Sequence, residues 1–140
     1  MKIATILPYK ENYTVSKAQA AAIWVSDFFK FSKYKNQTFI YGNTNTNDYL
    51  TKNYVNIRID NLGAKFTSTT KEYCNNFIKK TKSKNFDIIE IHNRPEVFNL
   101  LKPNFSSKFV LYFHNDPLSM YGSKSSKERL KLLINLDKID

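Results

Sequence analysis

The chain has 140 residues, of which 41% are hydrophobic and 15% aromatic, and its formal net charge is +10 at neutral pH. That length suits one domain with a real core and excludes two of ordinary size, while the composition excludes disorder over most of it. No apolar stretch reaches the ~20 residues of a bilayer span and no leader pattern opens the chain, so the expected location is cytoplasmic.

Lys2 to Pro8 is an almost wholly apolar run closed by proline, which predicts a first strand buried on both faces. From about Ser16 to Phe31, residues Ala18, Ala21, Ala22, Val25, Phe28 and Phe29 recur at helical spacing, with Ser16 as the expected N-cap. Gln37 to Gly42 reads as a second strand, Asn43 to Asn47 as a loop, and Tyr54 to Ile59 as a weaker third strand. Thr67 to Lys82 predicts a helix that buries Tyr73, Phe77 and Ile78 and carries the lone Cys74 as an inert residue.

Phe86 to Ile91 is the next strand, and Pro95 opens a short helix over Glu96 to Leu101. Phe109 to Phe113 follows as another buried strand. Ser125-Ser-Lys-Glu128 has the spacing of a capping box, with Leu130, Leu133 and Ile134 expected as a buried stripe behind it. Strands alternating with helices predict crossover units and an α/β fold, a Rossmann-like doubly wound parallel sheet. The chain reaches Asp140 where a further strand is expected, so residues 1–140 read as a single domain truncated at its C-terminal end.

The only two histidines, His92 and His114, each close an apolar run and are each followed by Asn, in Ile91-His-Asn-Arg-Pro95 and Phe113-His-Asn-Asp-Pro117. Ligands of open α/β sheets sit beyond the carboxyl ends of the strands, so both pairs point to one crevice. Lys10, Glu11 and Asn12 follow the first strand and join His92, Asn93, Arg94, His114, Asn115 and Asp116 in one polar cluster. These side chains suit a polyhydroxylated or phosphorylated ligand, since Asn and His donate and accept while Lys and Arg balance phosphate charge. The plainer reading is that each His-Asn pair ends its strand and steadies the following turn.

Other chemistries find less support. His92, His114 and Asp116 lack the spacing of a metal site, and no metal is expected. Gly-x-Ser-x-Gly, Gly-x-Gly-x-x-Gly and P-loop patterns are all missing from the sequence. Lysines cluster at Lys30 to Lys35, Lys79 to Lys84 and Lys124 to Lys131, as on solvated helix surfaces. Because the aromatics fall in apolar runs, no nucleic acid is expected as a partner. The charge alone keeps a basic nucleic-acid-binding domain as an alternative, one that predicts steeply salt-dependent binding.

The order Met1-Lys-Ile-Ala-Thr-Ile-Leu-Pro8, Phe86-Asp-Ile-Ile-Glu-Ile-His-Asn-Arg-Pro95, Lys108-Phe-Val-Leu-Tyr-Phe-His-Asn-Asp-Pro-Leu118 and a helix with Glu128-Arg129 resembles the N-terminal half of a GT-B glycosyltransferase of family 4. The resemblance implies a metal-independent, retaining enzyme without a cofactor, which moves a sugar from a nucleotide-sugar donor to a glycan or lipid-linked acceptor in polysaccharide biosynthesis. By the same resemblance His114 is the catalytic contact to the transferred sugar, while His92, Asn93 and Asn115 shape the cleft floor. Ser16-Lys-Ala-Gln-Ala-Ala-Ala22 stands where the family has a Gly-rich phosphate loop, a departure, since Ala resists positive φ. The donor-binding C-terminal domain is expected to be absent and the isolated chain inactive. The +10 charge would then suit the anionic inner face of a membrane. A non-catalytic α/β module that binds a sugar or nucleotide in the same crevice is the other reading.

Overall fold

In the computed structural model, residues 1–59, 68–119 and 125–139 are described. Five strands, β1 (Ile3–Ile6), β2 (Thr38–Gly42), β3 (Tyr54–Asn56), β4 (Ile88–His92) and β5 (Lys108–Tyr112), form one sheet in the order β3-β2-β1-β4-β5. Every neighbouring pair is parallel. Helices α1 (Ala20–Phe31), α2 (Thr69–Thr81), α3 (Pro95–Leu101) and α4 (Ser126–Leu136) complete the described elements, with short 3-10 turns at Lys35–Gln37 and Lys102–Asn104. The fold is α/β and Rossmann-like, with the order reversing at β1 and β4.

Strand periodicity sends alternate residues of β1 to opposite faces, and each face has its own core. Ala4 and Ile6 join Ile89, Ile91 and Phe109 against Tyr73 and Phe77 of α2 and Val97, Phe98 and Leu101 of α3. Leu7 and Ile40 pack instead with Ala22 and Val25 of α1, beside Tyr13 and Tyr54. Cys74 is buried in the α2 core, where desolvation pushes its thiol up to about 12, so it has no reactive thiolate near neutral pH.

Helix starts follow local chemistry with one exception. Ser68 caps α2 by accepting from the Lys71 N–H at 3.2 Å, and Ser125 and Glu128 form the expected capping box on α4. Helix α1 does not begin after Ser16. Asp48 takes both the Ser16 N–H and its hydroxyl, at 3.0 and 2.8 Å, and the helix opens at Ala20 behind Gln19, which offers no side-chain cap. The carboxylate of Glu11 accepts from the Ala22 N–H at 3.0 Å and supplies the missing cap from outside the helix.

Three expectations about burial are overturned, and the first concerns Phe109 to Phe113, expected as a buried strand, since β5 lies at the sheet edge with Val110 exposed. Leu130, Leu133 and Ile134 lie exposed on α4, and Leu132 is the side chain it buries. Phe28, expected in the α1 core, is 58% exposed and stacks along Trp24. Strand β4 begins at Ile88 rather than Phe86, and β3 stops at Asn56 rather than Ile59. Thr67, Lys124 and Asp140 lie outside the described residues.

Candidate functional site

Strand order reverses between β1 and β4, the place where open α/β sheets bind ligands beyond the carboxyl ends of their strands, and the polar residues that follow β1, β4 and β5 come from adjacent strands there. The register then explains how the histidines meet. His92 closes β4 and pairs with Tyr112, the last residue of β5. His114 comes two residues after Tyr112, so its side chain returns to the sheet face that carries His92 and Tyr112. Nδ1 of His92 lies 2.7 Å from Nε2 of His114, and Nε2 of His92 bonds Oε1 of Glu90, two residues earlier on the same strand and face. The result is a continuous line from Glu90 through His92 to His114.

Aromatic rings hold this line in place. Trp24 of α1 lies with its ring centroid 4.4 Å from Tyr112, 5.3 Å from His114 and 5.9 Å from His92. His92 has no exposed surface, whereas His114 is half-buried. Burial and the neighbouring His92 hold His114 below the usual histidine value, opposed by the charge of Glu90. His92, expected from the resemblance to help shape the cleft floor, has no exposed surface, and His114 is the ring of the pair that reaches solvent.

The turn after β4 fixes the other end of His114. Asn93 adopts a positive φ of 54°, which an Asn side chain tolerates better than most. Its N–H donates to the Tyr112 carbonyl at 2.9 Å, and its side-chain oxygen accepts from the His114 N–H at 2.8 Å. The first His-Asn pair therefore clamps the second. Asp116 plays a local part, its carboxylate accepting from the Leu118 N–H at 2.9 Å to brace the turn, and Asn115 beside it is exposed.

The remaining candidates divide by role. Glu11 is engaged as the α1 cap, and Asn12 is half-buried beside it. Lys10 is exposed, with its ammonium 5.8 Å from the Tyr9 ring centroid. Arg94 precedes α3, and its buried Nε has no hydrogen-bond partner among the described residues. The positive charge of its guanidinium suits an anionic group on a ligand.

Two members of the site escaped sequence reasoning. Glu90 is a lone acid inside an apolar strand, and a carboxylate in such a run calls for a partner, which was the available signal. Trp24, the only tryptophan, carried no comparable cue. Both also line a cavity of about 300 Å³ between α1 and the sheet, with Phe28, Phe29, Ile3 and Ile88 among its walls. No group of three or more His, Cys, Asp or Glu side chains suited to a metal ion occurs among the described residues.

Fold and crevice together define a Rossmann-like α/β domain with a carboxylate-histidine-histidine line at its strand ends. Compared with protein families, curated proteins and solved structures, the chain matches none. No helix among the described residues is long and apolar enough to cross a membrane.

Proposed function

We propose that this chain forms the acceptor-side, N-terminal half of a metal-independent glycosyltransferase of GT-B architecture and family 4. In this reading a second, donor-binding half faces the crevice, and a sugar passes from a nucleotide-sugar donor to a glycan or lipid-linked acceptor. The observation that carries the reading is the half-buried His114 beyond β5, held by its backbone through Asn93 and by its ring through His92. A ring fixed at both ends is a pre-organised dipole, which stabilises charge developing on a transferred sugar without reorganising during reaction. Arg94 supplies a cation for a phosphate-bearing ligand, and the +10 charge favours anionic lipid headgroups around the acceptor.

Ligand-observed NMR with UDP-glucose, UDP and methyl α-glucoside tests the reading on the 140-residue chain. Saturation transfer to sugar protons that disappears in His114→Ala is the expected result, with no turnover of UDP-glucose. Sugar contacts that survive His114→Ala would overturn the role of His114, and turnover by the chain alone would overturn the half-site. Tight, steeply salt-dependent binding of a nucleic acid duplex, without sugar contacts, would favour the nucleic-acid reading instead.

A further inference from the structure

We infer that Glu90 and His92 set the hydrogen-bonding polarity of His114, so that the crevice presents a ring nitrogen lone pair to a ligand hydroxyl and reverses this on uptake of one proton. The inference rests on the proposed sugar-binding role only for the identity of the ligand.

An ionised carboxylate only accepts, so the His92 nitrogen bonded to Glu90, Nε2, must carry a proton. In neutral His92 the other nitrogen, Nδ1, is then bare and accepts. The nitrogen 2.7 Å away, Nε2 of His114, must therefore be the donor. Neutral His114 has one ring proton, and it is committed to that bond. Its Nδ1 is left as a lone pair, with no hydrogen bond among the described residues. At this atom the site accepts from O–H or N–H groups, as a sugar hydroxyl requires, and a fully ionised phosphate oxygen gains nothing there.

One proton added to either ring reverses the arrangement. If it stays on His114, Nδ1 becomes N–H. If the shared proton moves to His92, that ring becomes an imidazolium against Glu90, and neutral His114 again carries its proton on Nδ1. A second proton would leave N–H facing N–H across the short contact and break it, so the pair behaves as a one-proton unit. Glu90 on β4 is the charged group bonded to this unit. The element α1 contributes the uncharged Trp24 ring, and β5 contributes Tyr112, whose ring centroid is 5.3 Å from that of His92 and 4.9 Å from that of His114.

Because the chain has only two histidines, long-range proton-nitrogen NMR resolves all their ring nitrogens without ligand. At pH 8 the expected result is both rings protonated on Nε2, with His114 Nδ1 bare. Acidification should place a proton on His114 Nδ1 in a single step. Glu90→Gln, whose neutral amide can either donate or accept, should reduce the preference for that His114 tautomer about tenfold, the difference between a charge-assisted and a neutral hydrogen bond. Finding His114 protonated on Nδ1 at pH 8 would overturn the polarity. An unchanged tautomer ratio in Glu90→Gln, with a native circular dichroism spectrum, would overturn the role of Glu90. Both readings are taken without substrate, so failure of the glycosyltransfer proposal leaves them standing.

Discussion

Replacing Asn93 separates the two tasks this residue performs. The positive φ of 54° costs Ala about 1 kcal/mol, and Gly adopts it freely. Removing the side-chain oxygen leaves the part-buried His114 N–H unpaired, at about 1–2 kcal/mol. Asn93→Ala should therefore lose about 2–3 kcal/mol and Asn93→Gly about 1–2 kcal/mol, while Asn93→Asp keeps both the acceptor and a tolerable φ and stays within about 1 kcal/mol of the parent. With an unfolding entropy of about 2.1 cal/mol/K per residue, a chain of 140 residues changes Tm by about 3.4 °C for each kcal/mol. The expected losses are then about 7–10 °C for Ala and about 3–7 °C for Gly. Urea unfolding at 25 °C, checked by calorimetry, measures the series. Equal losses for Ala and Gly would refute the strain argument, and an Asn93→Ala variant within about 0.5 kcal/mol of the parent would refute the clamp itself.

Stability should also depend on pH through His114. Its folded pKa lies below the ordinary value, so the folded state binds fewer protons, and the stability it contributes is complete above about pH 6.5 and lost as pH falls through that point. Urea midpoints at pH 7.5 and 5 should fall further apart in the parent than in His114→Gln; a steeper fall in the variant would reverse the sign. On α4, Leu132→Ala should cost about 2–3 kcal/mol and Leu133→Ala less than about 0.5 kcal/mol, since Leu132 is 6% exposed and Leu133 56%. Equal costs measured by denaturant unfolding would mean that α4 docks by the stripe read from sequence.

The strands were legible because each carries a mainly apolar run: β1 is covered on both faces, β4 is broken only by Glu90 before its closing His92, and β5 reads as apolar although it lies at the sheet edge with Val110 exposed. Capping chemistry was legible where it is local, as at Ser125 and Glu128. It failed at Ser16, because the competing acceptor, Asp48, comes from a loop 32 residues away. The α4 stripe failed for a different reason. Leu130, Leu133 and Ile134 make one helical stripe, but Leu132 and Leu136 make another, and periodicity cannot choose between two apolar faces. Only the position of α3, against which α4 lies, decides that Leu132 turns inward.

The paired His-Asn segments look equivalent in sequence because each ends an apolar run, and the register makes them unequal. His92 lies inside β4 opposite Tyr112, while His114 lies two residues past the end of β5, so the same dipeptide sits one pleat repeat apart on neighbouring strands. That offset brings the rings into contact instead of setting them side by side. Exposure follows the same offset: His92 closes a strand flanked by β1 and β5 and has no exposed surface, while His114 lies beyond the end of the edge strand β5 and is half-buried. Glu90 shares a face with His92 by the same two-residue period. A carboxylate in an apolar strand, isolated when read along the chain, therefore becomes the far end of the site once the strands are laid together.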